Sequence, residues 1–348
     1  MTKPVLTRYL YLLDEVILSL QQSILQKKGF DECIFWVGEL YFSKYYDKLW
    51  FNIFKFYYNF CAIQYPKYEK KLTSLFKKST KQNELKNVLN AVYLLYYSKY
   101  TFDVFKLSNI QPVHPNKIYL KTPKWLKDLK IDKKYYNFIL SVHKNHKINI
   151  SFYINKFENV DELYEIIKKY YKTTLNMSLN SIPYSNKKHI LFATIIYLIQ
   201  EIDIIQKKNV FRKYDHVEDI KQLMKDNDAF APLYRTLLVK LRYPINKNIG
   251  CYNLKRYNCS MGINKMLWYH WEYFAYSCPL WRERFDAYDI EINHKSKTIE
   301  FINEDEEEEF YETHSYEFDE QSLITQNKII ENIPKNSIFD MINSFKKN

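Results

Sequence analysis

Four glycines in 348 residues constrain this chain more than any other feature. Average usage of about 7% would supply about two dozen. Gly29, Gly38, Gly250 and Gly262 stand far apart, so there is no GxGxxG, no Walker A loop and no GxSxG elbow. Phosphate-cradling loops and tight αβ turns need residues that accept φ > 0 and allow close backbone approach. Nucleotide-dependent and α/β-hydrolase chemistry are therefore set aside. The same scarcity favours helices joined by Asn, Lys, Ser and Pro turns.

Hydrophobic periodicity agrees. Leu6, Leu10, Leu13, Ile17, Leu20 and Ile24 form a 3-4-3 stripe that predicts one amphipathic helix over residues 5–27. Gly29 then reads as its C-terminal stop and Asp31 as a fresh N-cap. Residues 31–65 read as two helices ending before Pro66, too apolar around their circumference for surface helices. Further helices are expected near 67–78, 83–98, 160–177, 187–206, 216–226, 230–242 and 263–277. Between 99 and 158 the pattern loosens around Pro112, Pro115 and Pro123, and alternation of Ile148, Ile150, Phe152 and Ile154 predicts a strand. After Pro279 the period becomes 2: Ile290 and Ile292 face Ile299 and Phe301 across the turn His294-Lys-Ser-Lys297, which argues for a β-hairpin. Two strands alone are marginal, so the hairpin must pack on the preceding aromatic helix. The expected fold is mainly α, an irregular multi-helix, solenoid-like body with a small C-terminal hairpin. It divides into a helical region (1–100), an irregular basic connection (101–158), a helical region ending in the hairpin (159–303), and an acidic linker with a short helical tail (304–348).

A chain of this length buries a core without disulfides. The five cysteines (Cys33, Cys61, Cys251, Cys259, Cys278) form no tight framework, and no signal peptide opens the sequence. No stretch reaches the roughly 20 apolar residues of a membrane span. These features suggest a soluble, intracellular protein.

Charge separates along the chain. From Phe301 onward twelve acids face four lysines, a net of −8, which leaves +20 on the remainder out of an overall +12. Basic residues concentrate in 66–86, 116–147 and 239–257, each time interleaved with Tyr, Phe or Trp. Such pairing holds phosphates with one residue class and stacks bases on the other. The expected nucleic-acid contacts are Lys70, Lys71, Lys77, Lys78, Lys81, Lys121, Lys124, Lys127, Lys240, Arg242, Lys255 and Arg256. The competing reading places these lysines on solvated faces of amphipathic helices. The run Glu304 to Glu309 reads as a solvated linker. Beyond it Leu323, Ile324, Ile330, Ile338, Met341 and Phe345 recur at helical spacing, as a partner-docking element does.

Residues 266–292 gather three of the six tryptophans with His270 and Cys278. A buried helix explains this without ligand chemistry. Cys251, Cys259, His270 and Cys278 are zinc-type ligands, but their spacing matches no compact pair, and His143 and His146 lack a nearby third ligand. Asp286, Asp289, Glu291 and Glu300 collect carboxylates at the hairpin, yet alternation turns Glu291 and Glu300 to solvent. Trp281, Phe285 and Tyr288 are expected inside, with Arg282, Glu283 and Arg284 outside and usable for phosphate or carboxylate binding. No catalytic residue, metal site or cofactor is expected.

The block at 34–71 and the block from Trp268 through the acidic run resemble a protein family of large nucleocytoplasmic DNA viruses, the mimivirus-like group. The resemblance transfers no catalytic residue. It implies a setting in viral factories of the host cytoplasm, with viral or host proteins and RNA or DNA as partners. The expectation is a non-enzymatic helical scaffold in viral nucleic-acid or translation machinery, similar in class to translation-initiation scaffolds. A direct nucleic-acid binder and a virion structural protein are the alternatives.

Overall fold

A computed structural model describes residues 4–27, 29–79, 84–110, 112–117, 123–127, 131–171, 187–200 and 263–314. Within these the chain is mainly α-helical, with one two-stranded antiparallel hairpin near the C-terminal end. It divides into two compact units: one from Met1–Trp50, Val88–Tyr96 and Lys213–Asn348, the other from Phe51–Asn87 and Tyr97–Arg212. The predicted helices at 216–226 and 230–242 lie outside the described residues.

The first unit opens with a correction. Residues 5–12 are not helix: helix α1 spans Leu13–Gln26. Before it Leu6 bridges Leu12, Leu10 sits at φ 62, and Leu13 N–H donates to the Val5 carbonyl at 2.9 Å. Tertiary bonds override the helical stripe here. Arg8 N–H donates to Ser43 Oγ (2.8 Å), Tyr45 OH to the Leu6 carbonyl (2.8 Å) and Trp281 Nε1 to the Arg8 carbonyl (3.0 Å). These partners lie far away in sequence and leave no local signal. The stop of α1 also differs from the expectation. Lys27 takes the left-handed position (φ 53), while Gly29 is extended (φ −174) and precedes α2, Phe30–Phe42.

Helix α3 (Tyr46–Phe56) runs into a π-helical turn, Tyr57–Cys61, in which Ala62 N–H reaches the Tyr57 carbonyl at 2.8 Å. Helices α4 (Tyr68–Ser79) and α5 (Glu84–Tyr96) follow, both at the predicted positions. The expected irregular stretch instead carries α6 (Asp103–Ser108), α7 (Lys124–Lys127), α8 (Lys133–His143) and α9 (Lys147–Lys156). The predicted strand 148–154 is therefore helix. Ile150 and Ile154, four apart, are fully buried, whereas Ile148 is 38% exposed. His146 caps this helix, its ring Nδ1 accepting from Asn149 N–H at 3.4 Å. The second unit closes with α10 (Val160–Tyr171) and α11 (Lys187–Gln200).

Back in the first unit, α12 (Ile263–Ala275) kinks at His270 (φ −149, ψ 25), whose Nδ1–H donates to the Lys297 carbonyl at 3.0 Å. Helix α13 (Pro279–Phe285) leads to β1 (Ile290–Asn293) and β2 (Thr298–Phe301) in the expected register, Ile290 opposite Phe301 and Ile292 opposite Ile299. The acidic run is not a linker: Glu304–His314 is helix α14. Asn303 Oδ1 accepts from Asp305 N–H at 3.0 Å and the first turn is all acidic, the arrangement that the positive end of a helix favours. Phe310, fully buried, stacks on Phe285 at 4.5 Å and packs near Trp281 and Phe301. With Trp271 against Trp281 at 5.4 Å, one aromatic core binds α12, α13, the hairpin and α14.

Candidate nucleic-acid interface

Charge follows the two units. Among described residues the second unit holds 21 lysines against 8 acids, a net of +13; the first holds 9 Lys and Arg against 19 acids, a net of −10. Among the described residues the basic character is thus gathered on the second unit, and within it α4 presents a face of exposed lysines.

Helix α4 buries Tyr68, Glu69, Leu72, Leu75 and Ser79 and exposes Lys70, Lys71, Ser74, Lys77 and Lys78. Its single acid points inward. Glu69 lies among Tyr57, Tyr58 and Tyr164, whose hydroxyls are all held above their usual range, first by burial and then by the Glu69 charge. That inward anchor fixes the rotation of the helix and leaves its outer face free of carboxylates. Lys67, also exposed, extends the face by one turn. Among the described residues nothing pairs with the side chains of Lys67, Lys70 or Lys78. Lys70 and Lys78 stand eight residues apart, a span of about 12 Å at 1.5 Å per residue.

The aromatic half of the pattern lies beside it. Tyr65 stacks on Tyr68 at 4.8 Å, and its hydroxyl accepts from Lys99 N–H at 3.4 Å. That bond ties the segment carrying exposed Lys99 and Tyr97, which is 48% exposed, to the start of α4. Of the remaining sequence-predicted contacts, Lys124 and Lys127 are exposed on α7, apart in sequence from α4. Lys81, Lys121, Lys240, Arg242, Lys255 and Arg256 lie outside the described residues. So do the docking positions Leu323, Ile324, Ile330, Ile338, Met341 and Phe345.

The other candidate chemistries find ordinary explanations where they are described. Cys278 is buried, its thiol raised by burial, and donates weakly to the Ser43 carbonyl at 3.7 Å, while His270 is engaged with Lys297. His143 is exposed and His146 is a helix cap. Asp286 accepts from Tyr276 OH at 2.6 Å. Glu291 and Glu300 oppose one another on the solvent face of the hairpin, as alternation requires. Among the described residues no three His, Cys, Asp or Glu side chains gather as metal ligands, and no helix is long and apolar enough to cross a membrane.

One polar set was invisible to sequence reading. Beneath the π-helical turn His189 Nδ1–H donates to Asn59 Oδ1 at 2.8 Å, and burial with the nearby Lys55 charge pushes the imidazole down to about 4. Lys55 is itself lowered by burial. Residues 55 and 189 meet only through the fold.

Fold and charge together define the class: a mainly α-helical protein with a lysine-faced basic unit and an acidic unit carrying a hairpin. Comparison with protein-family models, curated proteins and solved structures finds no match for this chain.

Proposed function

We propose that the chain is a non-enzymatic helical adaptor whose second unit holds the phosphate backbone of RNA or DNA on the α4 face. The observation that carries this reading is the position of Lys70. It lies in the first turn of α4, where the positive end of the helix dipole disfavours a cation by about 0.3 to 1 kcal/mol. The dipole does not favour lysine there, and an anionic partner does. Lys77 and Lys78, in the last turn, are favoured by the dipole, so their positions alone do not call for a partner. The partnerless lysines on a carboxylate-free face add phosphate-neutralising groups, and Tyr97, 48% exposed, lies on the segment bonded to Tyr65 at the start of α4.

The adaptor half of the proposal rests on the opposite charge of the described part of the first unit, which repels the polyanion and leaves that surface for proteins. The viral resemblance supplies the setting: partners drawn from viral or host nucleic-acid or translation machinery, in the host cytoplasm. The test is an affinity pull-down of the tagged chain from infected cells, with and without nuclease, read by mass spectrometry. An adaptor retains a defined set of proteins after nuclease and loses a second set bound through nucleic acid. Loss of every partner on nuclease treatment rejects the adaptor role, and an identical set in both samples rejects the nucleic-acid role.

A further inference from the structure

The first unit contains two guanidiniums, each laid on aromatic rings, that the proposed adaptor role does not use. Arg8 is buried between the Tyr9 ring, 4.1 Å from its centroid, and the Phe42 ring at 4.6 Å. Its Nε donates to Glu39 Oε2 at 3.1 Å, and Glu39, fully buried, also accepts from Tyr9 N–H at 3.1 Å. Trp281 joins this pair to α13, since its Nε1 donates to the Arg8 carbonyl. On the other side of the link Arg284 lies over the Trp281 ring at 4.6 Å. His314, at the end of α14, stands edge-on to the same indole at 5.8 Å.

The local charges do not balance. Arg8 is neutralised by Glu39, and Glu283 is paired with Lys44. Arg284 is half-buried, and among the described residues no carboxylate pairs with it. Its value is lowered by burial, with Arg8 opposing it as a second cation, and His314 is pushed down to about 4 by burial and by the Arg284 charge. A guanidinium stacked on an indole keeps its in-plane N–H donors for a partner, and the arrangement suits an oxyanion.

We propose that Arg284, laid on Trp281 beside the Arg8–Glu39 pair, is a binding site for a small oxyanion, a phosphate or carboxylate group. A polyanion does not fit, because the described part of this unit carries a net −10. A single oxyanion supplies a counter-charge to Arg284 and, carrying one or two charges rather than many, meets far less of that repulsion.

Thermal melting of the full chain in inorganic phosphate, in acetate, and in sodium chloride at matched ionic strength tests this. The melting temperature rises saturably with phosphate, acetate or both, beyond the chloride control, and Arg284→Gln abolishes the rise. Phosphate alone identifies a phosphate group as the ligand; an equal response to acetate identifies a carboxylate. A response no larger than that of chloride, or one retained in Arg284→Gln, overturns the site. If Arg284→Gln does not fold, the wild-type His314 ring is read by NMR. Neutralising Arg284 moves the His314 titration upward in bound protein, and an unmoved titration overturns the proposal.

Discussion

Glu39 accepts from both the Arg8 side chain and the Tyr9 backbone inside a closed interior. Removing it leaves a buried guanidinium without its counter-charge, so Glu39→Ala is expected to cost about 3 to 5 kcal/mol in urea unfolding. Replacing both partners, as Arg8→Met with Glu39→Leu, is expected to cost far less, because no orphaned charge remains. Equal losses in the two variants would show that packing rather than charge sets the penalty. Histidine acts at the same scale with a defined sign. His189 and His314 are both depressed to about 4, so between their ordinary value of 6.5 and that point the unfolded chain binds more protons. Their contribution is complete above about pH 6.5 and is lost as pH falls to about 4. The urea midpoint of wild type is expected to drop between pH 7 and pH 4.5, and that of His189→Asn to drop less. A midpoint flat across this window would contradict the burial of both rings.

Elements show where local pattern governs and where it yields. Helix α4, α5 and the hairpin follow their 3.6- and 2-residue periods because each has one clear buried face. Helix α9 does not. Its four apolar residues alternate and β-branched Ile occupies three of those positions, so a strand reading is natural, yet Ile150 and Ile154 make an equally good helical pair. The burial partners, not the spacing, decide. Helix α14 is masked in the sequence because its acids read as a charge run rather than as first-turn residues behind Asn303, and because Phe310 alone marks its buried side. Phe310→Ala is expected to cost about 3 to 5 kcal/mol and to loosen α14. Protease cleavage within 304–314 would report it, and unchanged stability would separate this helix from the aromatic core. At the hairpin Glu291 faces Glu300 directly. Glu291→Lys is expected to stabilise by about 0.2 to 1 kcal/mol, since like charges across a strand pair repel. A loss in thermal melting would contradict that register.

At the scale of the whole molecule, the sign of charge sorts by compact unit rather than at a single point in the chain. The sequence shows a basic body and an acidic tail divided near residue 300, but the first unit takes in the acidic helix together with residues near the N-terminus. Nothing local announces that Trp281 donates to the Arg8 carbonyl or that His189 donates to Asn59, 273 and 130 residues apart. The lysine face was legible because i, i+7 and i+8 spacing is a local property; its meaning needed the helix start at Tyr68, which places Lys70 against the dipole. The central claim is that this face binds phosphates by charge. The most direct test is the affinity of the full chain for single-stranded RNA across a salt series, compared with Lys67→Gln, Lys70→Gln and Lys78→Gln combined. The account predicts affinity that falls steeply with salt and, in the triple variant, a log–log slope shallower by about 2, the counterion release of three phosphate contacts at about 0.7 each. Identical slopes for the two proteins, with the fold intact, would contradict it.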